Sequence, residues 1–247
     1  MYNFFIENSS LIDGGYKISG KDYNHIKNVL RMKSGEDILV TYNGKSNLCC
    51  IVDFTDSDVL VKIIKPDYQS TELPIEVYLF QGIAKGEKME LVIQKAVELG
   101  VTGIIPIEMK RCIAKIENNK VKQKTERFNL ISESASKQSK RNIIPKVYEP
   151  MNFDNALKFA SKLDLFIIPY ECADGMTATK ECLSMIKSGM KIGVMIGAEG
   201  GFEDSEIEKV KGLKNAKIIS LGKRILRTET ASITALSAIM LHAESYL

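Results

Sequence analysis

Two arginines and a carboxylate crowd one short turn near the end of this 247-residue chain. In "KIISLGKRILRTETASITALSAIM", Lys217 to Met240, the apolar run Ile218–Leu221 reads as a buried strand and "TASITALSAIM" as a helix rich in small residues. The turn between them opens on Gly222, carries Arg224 and Arg227, and closes on Thr228, Glu229 and Thr230. Guanidinium groups at the mouth of a crevice bind an anion or steady negative charge that develops in a reaction. Surface salt bridging would use the same two residues. Thr228 or Thr230 is expected to cap the helix that follows.

A second loop of this kind precedes it. "VMIGAEGGF" follows an apolar strand pattern and leads into the acid-rich helix start "EDSEIEKV". Glycines at 197, 200 and 201 allow a sharp turn and a close approach of a ligand to the main chain. The loop is neither GxxxxGK[ST] nor GxGxxG, and Glu203 and Asp204 at the helix start would repel a phosphate. A neutral or cationic ligand suits it better than a nucleoside triphosphate. Loops at the carboxyl ends of neighbouring strands in an open α/β sheet converge on one crevice. The two glycine loops and the end of "LFIIP" are therefore expected to form a single pocket lined mostly by backbone.

The elements that must carry these loops are legible upstream. "DILVTYNGKSNLCCIVDFTDSDVLVKII" holds three strand-like runs, with Asn43-Gly44 as a hairpin turn and "TDSD" as a second turn. Before them, "DYNHIKNVLRM" has a helical pattern with Ile26, Val29 and Leu30 on one face. Residues 1–70 thus read as a small β-rich domain, a barrel, and "KPDYQSTELP" as a linker or boundary. From residue 73 to 247 the pattern alternates: apolar strands "IEVYLFQGI", "GIIPI", "LDLFIIP", "KIGVMIG" and "AKIISLG" are separated by helical stretches. One of these, "EKMELVIQKAVELGV", ends on Gly100. Strands buried on both faces and alternating with helices indicate a mostly parallel α/β sheet with helices on both faces.

Composition narrows the class. Hydrophobic residues make up 45% and charged residues 26%, the mixture of a globular protein. No apolar run approaches the roughly 18 residues that span a bilayer, and the first residues lack the pattern of a secretory signal. Five cysteines without CxxC spacing and two histidines make a metal site unexpected, so the reading is cytoplasmic and metal-free. Charge is uneven. Lys110 to Lys146 carries eleven Lys or Arg against three Glu, a net of +8 in a chain whose total is +3. Such a block suggests a polyanionic partner, though a solvated lysine-rich helix face gives the same count.

Taken together, "HIKNVLRMKSGE", "KGEKMELVIQKAVELGV", "ERFNLISESASKQSKR", "IGAEGGF" and "LGKRILRTETA" resemble the bacterial 16S ribosomal RNA uridine N3-methyltransferases of the SPOUT superfamily, in order and over nearly the whole chain. The resemblance implies a PUA-like RNA-binding barrel, then a parallel α/β domain tied in a trefoil knot, in a homodimer. It implies S-adenosylmethionine held by Ile168, Pro169, Gly197, Glu199, Gly200, Gly201, Leu221, Gly222, Ile225, Leu226 and Thr228. Candidate RNA contacts are Arg31, Lys85, Lys88, Arg111, Arg127, Gln138, Arg141 and Arg224, with 16S rRNA in the small ribosomal subunit as partner. Three departures stand out: Ala198 where the family has proline, Asn3 where an arginine is common, and Cys112 where serine is common.

The chemistry so implied is removal of the uracil N3 imide proton while an electrophilic methyl waits in line, with the charge on O2 and O4 stabilised. Arg227 is expected in that stabilising role, with Arg224 second. Glu199 or Glu229 could take the proton, and solvent is the third option. The rival readings are a related methyltransferase acting on tRNA or a ribose 2′-hydroxyl, and a non-catalytic RNA-binding assembly factor.

Overall fold

The computed structural model describes residues 1–171 and 175–245. The chain forms two compact units: Met1–Glu72 with Ser136–Ile143, and Leu73–Ala135 with Ile144–Leu247.

The first unit is a six-stranded sheet curled round its own core, made of β1 (Asn3–Phe5), β2 (Leu11–Ile12), β3 (Gly15–Ser19), β4 (Asp37–Tyr42), β5 (Lys45–Phe54) and β6 (Asp58–Gln69), in the order β1-β4-β5-β6-β3-β2. Asn43 and Gly44 both adopt positive φ and place Tyr42 opposite Lys45, as the hairpin signal requires. Phe4, Ile18, Ile38, Val40, Cys49, Ile51, Val59 and Val61 fill the interior.

Two expectations need correcting here. Helix α1 (Gly20–Asn24) runs straight into a π-turn over His25–Val29, in which the Leu30 N–H donates to the His25 carbonyl at 2.8 Å. The wider turn breaks the 3.6-residue phase. Ile26 is buried, but Val29, expected beside it, is 64% exposed. The supposed linker is also strand, because β6 continues through Lys65–Gln69 alongside Leu48 and Ser46. Pro66 is accommodated there because the register slips between Ser46 and Leu48, Asp67 takes φ +48°, and its N–H donates to Asn47 Oδ1 at 3.0 Å.

The first unit is completed by residues 136–143. Arg141 is 2% exposed, and its Nε lies 2.9 Å from Glu72 Oε1. The same carboxylate accepts from the Asn142 N–H at 2.7 Å. Asn3, at the position where an arginine is common, is buried; its amide donates to the Arg141 carbonyl and its oxygen accepts from Thr41.

The second unit begins with β7 (Glu76–Gly82), α2 (Glu87–Glu98), β8 (Gly103–Glu108), α3 (Val121–Ser139, whose last residues belong to the first unit) and the short β9 (Lys146–Val147) and β10 (Met151–Asn152). It continues with α4 (Phe153–Ala160), β11 (Leu165–Pro169), α5 (Thr177–Ser184), β12 (Lys191–Ile196), α6 (Asp204–Lys211), β13 (Ala216–Ile219) and α7 (Thr228–Glu244). Every pairing in its sheet is parallel, in the order β10-β8-β7-β12-β11-β13 with β9 beside β8. One apolar cluster includes Val77, Leu79, Ile93, Val194 and Leu236, and a second includes Phe80, Ile105, Phe166, Met195 and Ile207. Strand residues thus alternate between two cores, which is why the strands read as continuous apolar runs. Gly100 takes φ +90° just past the end of α2.

The Arg141–Glu72 pair makes a prediction about stability. Arg141→Ala leaves a carboxylate that has lost its buried cation, at a cost of about 3 kcal/mol. Urea unfolding should show the loss as a lower midpoint, whereas Arg31→Ala, at an exposed position, should leave the midpoint where it is.

Candidate functional site

Strands β11, β12 and β13 are neighbours and parallel, so their carboxyl ends open on the same edge of the sheet. The chain leaves β12 through residues 197–201 and β13 through residues 220–227, and both loops line one cavity of about 440 Å³. That volume falls within the range of small-molecule sites, roughly 300–1,000 Å³. Pro169 at the end of β11, with Tyr170 and Glu171 after it, supplies a further wall, and Lys88 of α2 and Ala231 of α7 close it.

Local chemistry sets each loop. Gly82, at the end of β7, has no room for a side chain: a Cβ there would lie 2.5 Å from the Ala198 nitrogen and 2.9 Å from the Gly197 carbon. The missing methyl lets the 197–201 loop seat on β7. A bridge between Ala198 and Gly201 pinches that loop, with the Gly201 N–H donating to the Ala198 carbonyl at 2.9 Å. The second loop is pinned at its start by Thr179 of α5, whose hydroxyl donates to the Ser220 carbonyl and accepts from the Ser220 N–H. Gly222 then turns with φ +105°, a left-handed conformation that a side chain resists.

At its far end the second loop is tied to the first. The Thr228 hydroxyl donates to the Gly197 carbonyl at 2.6 Å and accepts from Gln81 Nε2 at 2.9 Å. Thr228 is therefore not a helix cap, and neither is Thr230. Arg227 is the first residue of the helix boundary and makes no side-chain capping bond. The hydroxyl expected to cap α7 is occupied by the loop it faces. The acids after Gly201 also have structural employment. Glu203 and Glu206 form a capping box on α6, Lys110 pairs with Glu203 at 2.7 Å, and its N–H donates to the buried Glu206.

The electrostatics are mixed. Glu199 Oε1 accepts from the Lys85 N–H at 3.0 Å and from Lys88 Nζ at 3.2 Å. Burial pushes the Glu199 carboxyl upward, but the Lys85 N–H, its own N–H and the Lys88 ammonium outweigh it, so its pKa lies below the ordinary value. Glu199 Oε2 and Glu229 Oε2 are buried with no hydrogen-bond partner among the described residues. Arg224 and Arg227 stand exposed on the rim, and between them Ile225 is 87% exposed. The cavity thus has carboxylates and carbonyl groups in its wall and guanidinium groups at its mouth. Such a wall suits a ligand with a cationic centre, and such a mouth suits an anionic or polarised one.

Residues 71–240 match the profile of the RNA methyltransferase domain, and residues 18–64 match that of the RNA methyltransferase PUA domain. The chain belongs to the RNA methyltransferase family. Its relatives include ribosomal RNA small subunit methyltransferase E of Bacillus subtilis, 34% identical across 93% of this chain and 91% of the relative. The enzyme of that name from Mesomycoplasma hyopneumoniae is 32% identical, across 96% and 98%. Among solved structures, ribosomal RNA small subunit methyltransferase E from Neisseria gonorrhoeae, bound to S-adenosylmethionine, superposes with a TM-score of 0.80 at 29% identity, covering 98% of this chain and 97% of that one.

Within this family member the sequence-marked residues fall into distinct groups. Pro169, Gly197, Glu199, Gly200, Gly201, Leu221, Gly222, Ile225, Leu226 and Thr228 all line the cavity, as do Lys88, Arg224, Arg227 and Glu229. Ile168 does not: it is fully buried in the apolar cluster beneath, and Tyr170 takes the place at the wall. Lys85 and Arg111 lie exposed at the edge of the first loop, Lys85 through its N–H on Glu199 and Arg111 packed under Gly200. Arg127 is elsewhere, gripping Glu90 of α2 with Nε and Nη2 at 2.7 and 3.0 Å. In the first unit Arg31 and Gln138 are exposed. Arg141 is not a surface residue at all; Glu72 holds it inside, so it cannot serve as the RNA contact expected of it.

Four residues escaped the sequence reading. Tyr170 and Phe202 set their rings edge to face at 6.3 Å beside the cavity. Gln81 and Ser232 lie behind it, fully buried and bonded to each other. Gln81 had left one signal: a single amide in an otherwise apolar strand must find partners.

The depressed Glu199 carboxyl fixes a pH dependence. Its folded-state pKa lies below the unfolded value, so the ionised form stabilises the fold above the ordinary carboxylate range, and that contribution disappears as pH falls through the folded pKa. Urea midpoints measured from pH 7 to pH 3 should therefore fall less steeply for Glu199→Gln than for the native chain.

Proposed function

We propose that this protein transfers the methyl group of S-adenosylmethionine to N3 of a uridine in 16S rRNA of the small ribosomal subunit. The observation that carries the reading is the single cavity shared by the loops after β12 and β13, with Arg224 and Arg227 at its mouth. The names of the full-length relatives support it, as does the cofactor in the Neisseria gonorrhoeae structure. The threading of the loops into a trefoil knot belongs to the same proposal.

The cavity fits the cofactor on its own terms. Its wall offers glycine backbone, the apolar side chains Leu221 and Leu226, and the orphaned carboxylate oxygens of Glu199 and Glu229 for a cation. When bound, S-adenosylmethionine supplies an electrophilic methyl group. The residues of the chain do the rest. Arg227 holds O2 and O4 of the uracil as negative charge spreads over them, and Arg224 grips the neighbouring phosphate. Because N3 lies on the pairing edge, the base is unpaired or turned out before it reaches the rim. A carboxylate with a depressed pKa is a weak base, so Glu199 is a poor choice for the N3 proton. Its bonds to Lys85 and Lys88 give it the task of holding the first loop. Glu229 or solvent water takes the proton.

The RNA is gathered by Arg31 and Gln138 on the first unit and by Lys85, Lys88, Arg111 and Arg224 on the second. Arg127 joins them when it leaves Glu90. The substrate places the enzyme in the cytoplasm; no described helix is long and apolar enough to cross a membrane. We also assign a homodimer, supported by the exposed Leu241 on α7 and Met185 after α5.

Primer extension across 16S rRNA from cells with and without the protein tests the substrate, because N3 methylation blocks pairing. A stop present only with the protein, and mapped to a uridine by mass spectrometry, is expected. A modified ribose 2′-hydroxyl or a modified tRNA would replace this reading with another. For Arg227→Ala, the rate of methyl transfer should fall by about 100-fold or more while the cofactor Kd in calorimetry stays within about threefold. Equal losses in both would move Arg227 from the reaction to the cofactor site.

A further inference from the structure

We infer that Gln81 is a positioning residue for the cofactor cavity, holding its two loops in register through the Thr228 hydroxyl. The inference rests on the reading that this cavity takes S-adenosylmethionine. Gln81 sits at the carboxyl end of β7, fully buried, and is not itself part of the cavity lining. Its Nε2 donates to Thr228 Oγ1 at 2.9 Å and to the Gly82 carbonyl at 3.0 Å, and its Oε1 accepts from Ser232 Oγ at 2.5 Å.

The direction of these bonds is forced. A carbonyl cannot donate, so the one hydroxyl proton of Thr228 must point at Gly197. The Thr228 oxygen is then left as an acceptor, and among the described residues the donor brought to it is the Gln81 amide. A flipped amide would set its oxygen against the Gly82 carbonyl and a Thr228 oxygen whose proton is already spent, while Ser232 Oγ shares its one proton between Gln81 Oε1 and the Thr228 carbonyl. Both N–H groups of Gln81 are used. The result is a one-way relay from amide to hydroxyl to carbonyl, running from β7 through the first residue of α7, where one loop ends, to the first residue of the other. Polar groups in such a buried chain polarise one another, and an unfilled position in it is expensive.

Neither side chain closest to glutamine in shape replaces it here. A carboxylate of the same length is acceptor-only when ionised and gains a donor only when protonated. Methionine keeps the shape and gives neither bond.

Calorimetric Kd values for S-adenosylmethionine and S-adenosylhomocysteine, measured with urea midpoints on the same ligand-free samples, test this. Gln81→Met should bind both about tenfold more weakly, and Thr228→Val likewise, whereas Thr228→Ser stays within about threefold of the native chain. The double variant Q81M/T228V should be no worse than either single one, because both break the same relay. Gln81→Glu should bind poorly at pH 8 and recover toward the native Kd as pH falls to 5.5, over a range in which the native Kd is compared directly. Losses that multiply in the double variant would overturn the inference. So would a Gln81→Glu Kd that departs from the native value by the same factor at every pH, or binding within twofold in Q81M. If the native chain binds neither ligand, the reading of the cavity fails instead.

Discussion

A single hydroxyl-to-carbonyl hydrogen bond, Thr228 to Gly197, decides whether this sheet edge carries one cavity or two unrelated loops. The strands that deliver the loops are not adjacent: β11 lies between β12 and β13. Parallel pairing points all three carboxyl ends the same way but does not by itself bring the loops after the outer two together. The bond from Thr228 does, and the absent side chain of Gly82 lets the first loop sit low enough to receive it. Thr179 anchors the opposite end of the second loop at Ser220. What remains between these anchors is a short exposed hoop bearing Arg224, Ile225 and Arg227. Rigid ends with exposed middle residues are what a site needs if it must hold one ligand and meet a second, larger one.

Much of this was readable in advance, and for identifiable reasons. Apolar runs buried on both faces mark parallel strands, so β7, β8, β11 and β12 could be placed from their letters; β13, expected as a buried strand over Ile218–Leu221, is an edge strand over Ala216–Ile219 with only Ile219 buried. Asn43-Gly44 fixed a hairpin because few residue pairs tolerate two positive φ values. The two glycine loops could be paired because they follow strands of one sheet. The failures share a different cause, a partner distant in sequence, except at Val29, where a local turn intervenes. Pro66 looked like a terminator until Asn47 offered its bulge a hydrogen bond. Val29 looked like core until a π-turn rotated it outward. Thr228 looked like a cap because the loop that claims its hydroxyl lies 31 residues earlier. Gln81 is the extreme case, separated by 147 residues from the threonine it serves.

Charge counted along a sequence proved a poor guide to charge offered at a surface. The block from Lys110 to Lys146 has a net of +8, yet several of its members are paired. Lys110 is on Glu203, Lys120 on Glu117, Arg127 on Glu90, Lys137 on Asp22 and Arg141 on Glu72. Exposed pairs of this sort are weak and can exchange partners, and Arg127, though bidentate on Glu90, keeps its guanidinium open to solvent. Arg141 differs, because its guanidinium is enclosed and its carboxylate partner is further held by the Asn142 N–H. One arginine is a reserve of positive charge; the other is a structural pin with a charge on it.

The discontinuity of the first unit carries its own implication for how the chain comes into being. Its sheet is encoded before residue 72, but the segment that receives Glu72, Thr71 and Asn3 is encoded at 136–143. On a ribosome, the amino-terminal sheet must therefore wait, one edge unfinished, while residues 73–135 of the other unit are synthesised.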